Sequence, residues 1–333
     1  MKIYPFFIPG QGCPSRCVYC RQELFAGAGA PPSPAEVAAT LERWLPRRGE
    51  GEIAYFGGSF SLLPPERQQA YLEVAAAFVD AGRCSGIRIS THPLGLGAET
   101  LRLLRRFRVT TVEVGCQSFD DEVLRQARRG HDAATAIDGL SRLGRSGFRV
   151  GVQLMPGLPG GSSAEALDSL RTALDLPVDF FRFYPTVVLP GTPLAQRWRQ
   201  GEYRPWDLDE AVDCCARMYL LCLRAGVPVI RMGVPPLDLS PLAGPWHPAF
   251  GQLVKSRLWY HVLAAVLPRH AERQVAVSPD ELSDAQGHGR SNLSALERRC
   301  GLWRLVTDAA VPAGRFRIGS RIYNLADVET DWS

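Results

Sequence analysis

The alternation of short apolar runs with helical patterns constrains the fold of this chain most strongly. The runs that predict strands are, in order, Lys2–Pro9, Glu52–Phe56, Ile87–Ser90, Thr110–Val114, Phe148–Leu154 and Phe180–Tyr184. Helical patterns lie between them, and the first begins at the capping box Ser33-Pro34-Ala35-Glu36. Strands alternating with helices predict a parallel sheet with helices outside it. The pattern alone does not separate an open doubly wound sheet from a barrel.

Length and composition bound the domain organisation. The chain has 333 residues, of which 46% are hydrophobic, so it is long enough for a large core and too long for one average domain. Proline and glycine cluster between residues 235 and 248, which marks a linker. We predict a main domain over 1–234, a linker and helix over 235–270, and a small α+β subdomain over 271–333.

Charge and cysteine content indicate the cellular compartment of the protein. The formal net charge is +4, from 38 basic and 34 acidic residues, so no strong field toward nucleic acid or membrane is implied. Nine cysteines without a secretory signal indicate a reducing cytosol. The N-terminal apolar run is too short to span a membrane, and no stretch of 18 apolar residues follows. These features predict a soluble cytoplasmic protein with no membrane partner.

A cysteine-rich loop follows the first predicted strand. Cys13, Cys17 and Cys20 are spaced C-x3-C-x2-C within Gly12–Cys20. Thiolates bind soft metals and iron–sulfur clusters. A structural zinc site usually has four ligands in two pairs, whereas the next cysteine here is Cys84. A disulfide would leave one thiol over. Three ligands suit a 4Fe–4S cluster that keeps one iron open.

This cysteine spacing, with the aromatic Tyr19 before the last cysteine, resembles the signature of the radical S-adenosylmethionine (SAM) superfamily. In that family the fourth iron binds the amino and carboxylate groups of SAM, and reductive cleavage yields a 5′-deoxyadenosyl radical that abstracts hydrogen. The resemblance implies a 4Fe–4S cluster on Cys13, Cys17 and Cys20, SAM as the second cofactor, Tyr19 packed by its adenine, and an electron donor of the flavodoxin or ferredoxin type. It also implies a partial (β/α)6 TIM-like barrel, with chemistry at the carboxyl ends of the strands.

Gly57 and Gly58 directly follow the second predicted strand. Two adjacent glycines let the backbone approach a ligand closely. The family resemblance implies that this turn contacts the SAM amino group, although Ser59 stands where many members carry glutamate. An ordinary strand-to-helix turn is the alternative interpretation.

Polar residues after the fourth and fifth strands extend the resemblance. Gln117 and Arg129 are similar to a pair found in oxygen-independent coproporphyrinogen oxidases and in the Elongator catalytic subunit. The resemblance implies that both bind SAM, with Arg129 facing its carboxylate, and that Gln153 contacts the ribose. His131 is a candidate proton shuttle, but a structural role just before a helix cap is the favoured interpretation.

The segments Tyr184-Pro185-Thr186 and Leu189-Pro190-Gly191-Thr192 resemble the Elongator-type branch in particular. His92 departs from the arginine that this branch carries, and the sequence shows no acetyltransferase-like domain, so acetyl-CoA-dependent carboxymethylation is not expected. A substrate in the barrel mouth would be reached by Tyr184, Thr186 and Glu113, the last as a catalytic residue. A tRNA or other RNA base is the candidate substrate.

Two alternatives to an RNA-modifying enzyme stay open: a small-molecule radical SAM oxidoreductase or methyltransferase, and a non-catalytic iron–sulfur or RNA-binding protein. The C-terminal βααβ pattern bears on this choice. Its glycine loop, Gly287-His288-Gly289-Arg290, resembles that of the minimal KH module, which grips an RNA backbone. A small packing subdomain is the favoured interpretation. Cys214, Cys215 and Cys222 share one helical stretch and are predicted to pack in the core.

Overall fold

The computed structural model describes residues 2–9, 11–13, 16–21, 30–235 and 240–332. By its internal contacts the chain divides into two compact units. The first comprises residues 1–205 and 234–244, and the second comprises residues 206–233 and 245–333. The boundaries at 234 and 270 that the sequence indicates remain predictions.

The first unit is built on a parallel sheet whose strand order follows the sequence. Its strands are β1 (Ile3–Ile8), β2 (Glu52–Gly57), β3 (Gly86–Thr91), β4 (Val109–Gln117), β5 (Arg149–Leu154) and β6 (Phe180–Phe183). A doubly wound sheet reverses its strand order at a switch point, whereas β1 to β6 run without reversal. This topology confirms the predicted partial barrel.

Helices follow the strands, and the first begins at the predicted capping box. They are α1 (Pro34–Trp44), α2 (Pro65–Asp80), α3 (Ala98–Arg106), α4 (Asp121–Gln126), α5 (Ala133–Arg145), α6 (Ser163–Leu174) and α7 (Pro193–Arg199). The predicted capping box is formed, because Ser33 accepts a hydrogen bond from the Glu36 backbone and the Glu36 side chain accepts one from Ser33. Asp120, Asp132, Ser162 and Thr192 cap α4 to α7, each by accepting one hydrogen bond from a backbone N–H in the first turn of its helix.

The two faces of this sheet differ in chemistry. Residues of one alternating set, such as Ile53, Ile89 and Val112, are fully buried and apolar. The other set includes the buried charged residues Glu52 and Arg88, which pair with each other. Because strand residues alternate between faces, the charged set lies on the face opposite these apolar residues, and we assign it to the inner face of the barrel.

The second unit packs helices against a small sheet. Its elements are α8 (Leu208–Ala225), β7 (Val229–Met232), α9 (Phe250–Val266), β8 (Gln274–Val277), α10 (Leu282–Gln286), α11 (Ser291–Cys300), β9 (Arg304–Thr307), β10 (Arg315–Ile318) and β11 (Arg321–Asn324). The sheet order is β11-β10-β8-β9, with β8 and β9 parallel. The predicted βααβ order is therefore present, and β10 and β11 extend it beyond the sequence-based prediction.

The core of the second unit is apolar. Trp259 of α9 packs edge-on to Phe316 of β10, with ring centroids 5.8 Å apart. Leu263, Val275 and Val277 belong to the same buried cluster. On α8, Cys214, Cys215 and Cys222 are buried, as predicted. Within the described residues, no helix is long and apolar enough to cross a membrane.

Candidate active site

The cysteine loop begins after β1 and lies against the turn that follows β2. The Ser59 N–H donates to the Gln11 carbonyl at 2.9 Å. A Cβ atom at Gly58 would lie 2.1 Å from the Gln11 oxygen, and one at Gly12 would lie 2.3 Å from the Ser59 oxygen. Gly57 has φ of 105°, a conformation that favours glycine. The glycines thus allow this turn to support the cysteine loop, while their contact with SAM remains a prediction.

The three loop cysteines differ in burial. Cys13 is exposed, with its Sγ 3.5 Å from the Ser59 hydroxyl. Cys17 is buried and Cys20 is half-buried. None of the three cysteines forms a disulfide. The Cys20 N–H donates to the Cys17 carbonyl at 3.2 Å, which closes a turn between them. Pro14 and Ser15 lie outside the described residues.

Backbone hydrogen bonds hold this loop from two sides. The Val18 N–H donates to the Ala127 carbonyl at 3.1 Å, and the Val18 carbonyl accepts from Leu194 N–H at 2.8 Å. Arg21, next to the last cysteine, donates to the Pro190 carbonyl at 2.9 Å. The segment that resembles the Elongator branch therefore supports the cysteine loop, a role that the sequence did not indicate.

Arg129 lies at the centre of the site. Its Nη1 donates to the Cys17 Sγ at 3.1 Å and to the Tyr19 hydroxyl at 3.2 Å, and its Nη2 donates to the Gly115 carbonyl at 2.5 Å. Burial opposes its charge, but the neighbouring Tyr19 and Cys17 raise the pKa of Arg129 above its ordinary value. Burial also raises the pKa of Tyr19, so the phenol remains protonated beside a permanent cation.

Gln117 and Gln153 meet at the ends of β4 and β5. The Gln153 Nε2 donates to the Gln117 Oε1 at 3.1 Å, and the Gln117 carbonyl accepts from Met155 N–H at 2.8 Å. Gln117 has φ of 75°, which turns its side chain at the strand end. A Cβ atom at Gly115 would lie 2.7 Å from the Gln117 Nε2 and 3.7 Å from the Arg129 Nη2. The structure thus brings the predicted SAM-binding side chains together around Gly115, and their roles remain predictions.

Two histidine rings lie beside the backbone of Arg129. The His92 Nδ1 accepts from Leu94 N–H at 3.2 Å, so the proton is on Nε2, which lies 2.8 Å from the Arg129 carbonyl. His131 Nδ1 lies 3.2 Å from that same Nε2. Burial, followed by the Arg129 charge, lowers the pKa of His92 to about 3 and that of His131 to about 4. Both rings are neutral near pH 7, consistent with the structural role favoured for His131.

A chain of buried ion pairs crosses the inner face of the sheet. Arg88 pairs with Glu52 at 2.6 Å and with Glu113 at 2.5 Å. Arg182 pairs with the other Glu113 oxygen at 2.7 Å and donates to the Tyr184 hydroxyl at 3.0 Å. The Glu113 carboxylate is therefore engaged by two guanidinium groups, and its predicted catalytic role remains a prediction.

The sequence analysis missed Arg88, Arg182 and Glu52. The available signal was a charged residue inside an otherwise apolar strand, at positions of one alternating face. Thr186, predicted to reach the substrate, is buried, and its hydroxyl makes no hydrogen bond within the described part of the chain.

The three thiols of the cysteine loop are a donor set of the type that binds iron–sulfur clusters. Among the described residues, no three Cys, His, Asp or Glu side chains are arranged to hold one metal ion. A 4Fe–4S cluster does not need such an arrangement, because each cysteine binds a different iron. The guanidinium N–H beside the Cys17 sulfur is a hydrogen bond of the kind that tunes such clusters.

The chain resembles curated proteins over part of their length. The tRNA uridine(34) acetyltransferase of Methanocaldococcus infernus is 31% identical over 153 residues, which cover 44% of this chain and 29% of that protein. The protein of the same name from Dehalococcoides mccartyi is 29% identical over 234 residues, covering 58% and 50%. Elongator complex protein 3 of Mus musculus is 30% identical over 190 residues, covering 51% and 35%. The matched region thus spans no more than half of any of these relatives.

Solved structures share the fold. Elp3 of Methanocaldococcus infernus superimposes with a TM-score of 0.59 at 21% identity, covering 77% of this chain and 62% of that one. Coproporphyrinogen III oxidase from Escherichia coli gives a TM-score of 0.51 at 18% identity, covering 68% and 52%. At these identities the likeness concerns the fold alone.

Family models identify the chain more directly. The model of the Radical SAM C-terminal domain matches residues 178–260. The model of the Radical SAM superfamily matches residues 7–173, which is just over half of the 333 residues and includes the cysteine loop, Gln117, Arg129 and Gln153. The family implies an enzyme that uses a 4Fe–4S cluster and SAM. The chain belongs to the radical SAM superfamily.

Proposed function

We propose that Cys13, Cys17 and Cys20 hold a 4Fe–4S cluster and that the enzyme reductively cleaves SAM there, so that the resulting 5′-deoxyadenosyl radical abstracts hydrogen from an RNA substrate. The observation that carries the first part is the contact of the Arg129 guanidinium with Cys17 beside Gln117 and Gln153. This arrangement provides ligands for the cluster and polar groups for SAM at one edge of the sheet. The bound cluster would supply one electron to SAM.

The protein's own residues have distinct tasks in this proposal. Arg129 supplies a permanent positive charge that suits the SAM carboxylate, and the His92 ring holds its backbone in place. Gln117 and Gln153, which are hydrogen-bonded to each other, present their amide groups to the ribose and amino groups of SAM. Tyr19 packs against the apolar cluster that contains Val188 and Leu194 and against the one that contains Val123 and Leu158, which limits water at the cysteine loop.

The RNA substrate is the less direct part of the proposal. It is supported by the tRNA-modifying names of the curated relatives, which the chain matches only in part. It is also supported by the loop between α10 and α11, where Gly287, Gly289 and Arg290 all have positive φ and the last two are exposed. In a KH-like interpretation these residues would contact phosphates. An electron donor of the flavodoxin or ferredoxin type and a cytoplasmic location complete the proposal.

The test is anaerobic reconstitution with iron and sulfide. We expect about four irons per chain, a brown protein, and SAM cleavage on chemical reduction. Cys17→Ala should lose the visible absorbance and SAM cleavage together. Cys84→Ala is the matched control, because Cys84 is buried in the turn just before β3, at the amino edge of the sheet. Stoichiometric zinc in place of iron would contradict the proposal.

A second measurement separates the SAM contacts from the cluster. Arg129→Ala should keep the iron content but weaken SAM binding about 10- to 150-fold, the equivalent of losing a charged hydrogen bond of about 1.5–3 kcal/mol. Unchanged SAM affinity would mean that Arg129 serves only Cys17. Binding of total tRNA at low salt, lost at high salt, tests the RNA assignment.

A further inference from the structure

The ion pairs on the inner face of the sheet run from one end of the strands to the other. Glu52 is the first residue of β2, at the amino edge of the sheet, and Arg182 is next to last in β6, at the carboxyl edge. Arg88 and Glu113 lie between them and join them through the ion pairs described above. In parallel βα folds, ligands bind at the carboxyl edge. One end of this chain of charges therefore reaches the ligand-binding edge.

The signs of the charges alternate along the chain: negative at Glu52, positive at Arg88, negative at Glu113 and positive at Arg182. At the amino edge Glu52 is satisfied, since Thr110 donates to it at 2.9 Å and Thr111 donates as well. Side-chain exposure rises toward the other end, from 4% at Glu52 and 3% at Arg88 to 8% at Glu113 and 14% at Arg182. The set is neutral as a whole, but it presents its positive end to the mouth of the barrel.

The Arg182 guanidinium is held rigidly and keeps donors available. Two of its nitrogens face Glu113 and a third donates to Tyr184, which leaves two of its five N–H groups uncommitted to these partners. Its carbon lies 5.8 Å from the centre of the Phe56 ring, which supports the guanidinium. Because the Tyr184 oxygen accepts from Arg182, the phenol O–H points elsewhere and is a third donor. The mouth thus offers several donors side by side.

The position of Arg182 relative to the SAM-binding residues indicates which ligand these donors serve. In the sheet register Arg182 is paired with Gln153 on the adjacent strand. Neighbouring strands are about 4.8 Å apart, so a group at Arg182 lies next to one bound by Gln153 without occupying the same place. A second substrate must approach SAM in this way for hydrogen abstraction.

We propose that Arg182 and Tyr184 bind an anionic oxygen group of the second substrate, a carboxylate or a phosphate, with Glu113 and Arg88 as positioning residues that fix Arg182. This inference rests on the proposed function, since it takes Gln153 as a SAM contact. It names a substrate feature that the RNA assignment alone does not specify.

The experiment uses the reconstituted protein with SAM present and two probes, inorganic phosphate and malonate, titrated by calorimetry at low salt. We expect wild type to bind at least one probe, Arg182→Met to bind it at least about tenfold more weakly, and Tyr184→Phe to bind it about two- to tenfold more weakly. Preference for phosphate identifies a phosphate source, and preference for malonate identifies a carboxylate source. Arg149→Met is the matched control, because Arg149 is exposed at the amino end of β5 and should not affect binding.

Equal binding in wild type and both variants, or binding of neither probe to wild type, overturns the inference. If Arg182→Met fails to fold because Glu113 loses a partner, Tyr184→Phe alone decides, since it removes only a hydroxyl. Iron content and uncoupled SAM cleavage are measured on the same preparations. If the wild-type protein holds no iron and does not cleave SAM, the proposed function is refuted. If iron and SAM cleavage are present but the variants bind the probes as wild type does, only this inference is refuted.

Discussion

The inner face of the first unit and the core of the second unit are both buried, but they are stabilised in different ways. In the first, ionised side chains such as Arg88 and Glu113 are only 3% and 8% exposed. In the second, Leu263 and Phe316 are fully buried among apolar neighbours. Buried ion pairs are often no more stabilising than apolar side chains of similar volume, because desolvation offsets their attraction. Ion pairing on the inner face is therefore expected to add little stability beyond what apolar packing gives in the second unit.

The largest effect is expected at Arg88. Replacing it with Met leaves Glu52 and Glu113 without their shared partner in a buried site, which should cost about 3–5 kcal/mol in free energy of unfolding. Urea denaturation followed by circular dichroism measures this loss. Adding Glu52→Gln and Glu113→Gln to Arg88→Met should restore part of it. A loss below about 1 kcal/mol would mean that water reaches these charges and that the two regions do not differ in this way.

A somewhat smaller and chemically different effect is expected in the second unit. Leu263→Ala removes a fully buried side chain from the apolar cluster and should cost about 2–5 kcal/mol through lost burial and the cavity left behind. The measurement is the same denaturation at two pH values. We expect the loss of stability to be the same at both pH values, because the substitution exposes no charged group. If a polar substitution beside Leu263 recovered the lost stability, the view that apolar packing stabilises this core would be contradicted.

The smallest effect concerns His131, a neutral, half-buried ring beside the positively charged Arg129. Its folded-state pKa of about 4 lies below the ordinary value of 6.5, so between these values the unfolded chain binds more protons. Stability should therefore fall as pH drops from 6.5 toward 4, by at most about 1.4 kcal/mol per pH unit for this residue. His131→Asn should reduce that slope in urea titrations. An identical slope in both proteins would show that His131 is accessible to protons.

Local signals allowed much of the fold to be predicted. The capping box at Ser33, the glycines at the end of β2 and the apolar strands each act over a few residues, and they are found where expected. The family resemblance supplied the choice of a barrel. Elements at the C-terminus were harder, because β10 and β11 are short strands that depend on pairing with β8.

Long-range contacts within the site could not be read from spacing. The cysteine loop was predicted, but its support by Leu194 depends on residues that the fold brings together from far along the chain. Likewise, Arg88 and Arg182 are separated from Glu113 by 25 and 69 residues. Their charges within apolar strands were a signal, but only the register of the parallel sheet shows that they meet.

The strand order of the first unit has a consequence for the growing polypeptide on the ribosome. Each strand pairs with the strand made just before it, so the sheet can extend at one edge as synthesis proceeds. Glu113, however, is made 69 residues before Arg182. At about 5–20 residues per second this interval lasts roughly 3–14 s. During this interval Arg88 has already been made and is the guanidinium partner available to Glu113. Nascent chains with a substitution at Arg88 should therefore be the ones most exposed to misfolding and proteolysis before translation ends.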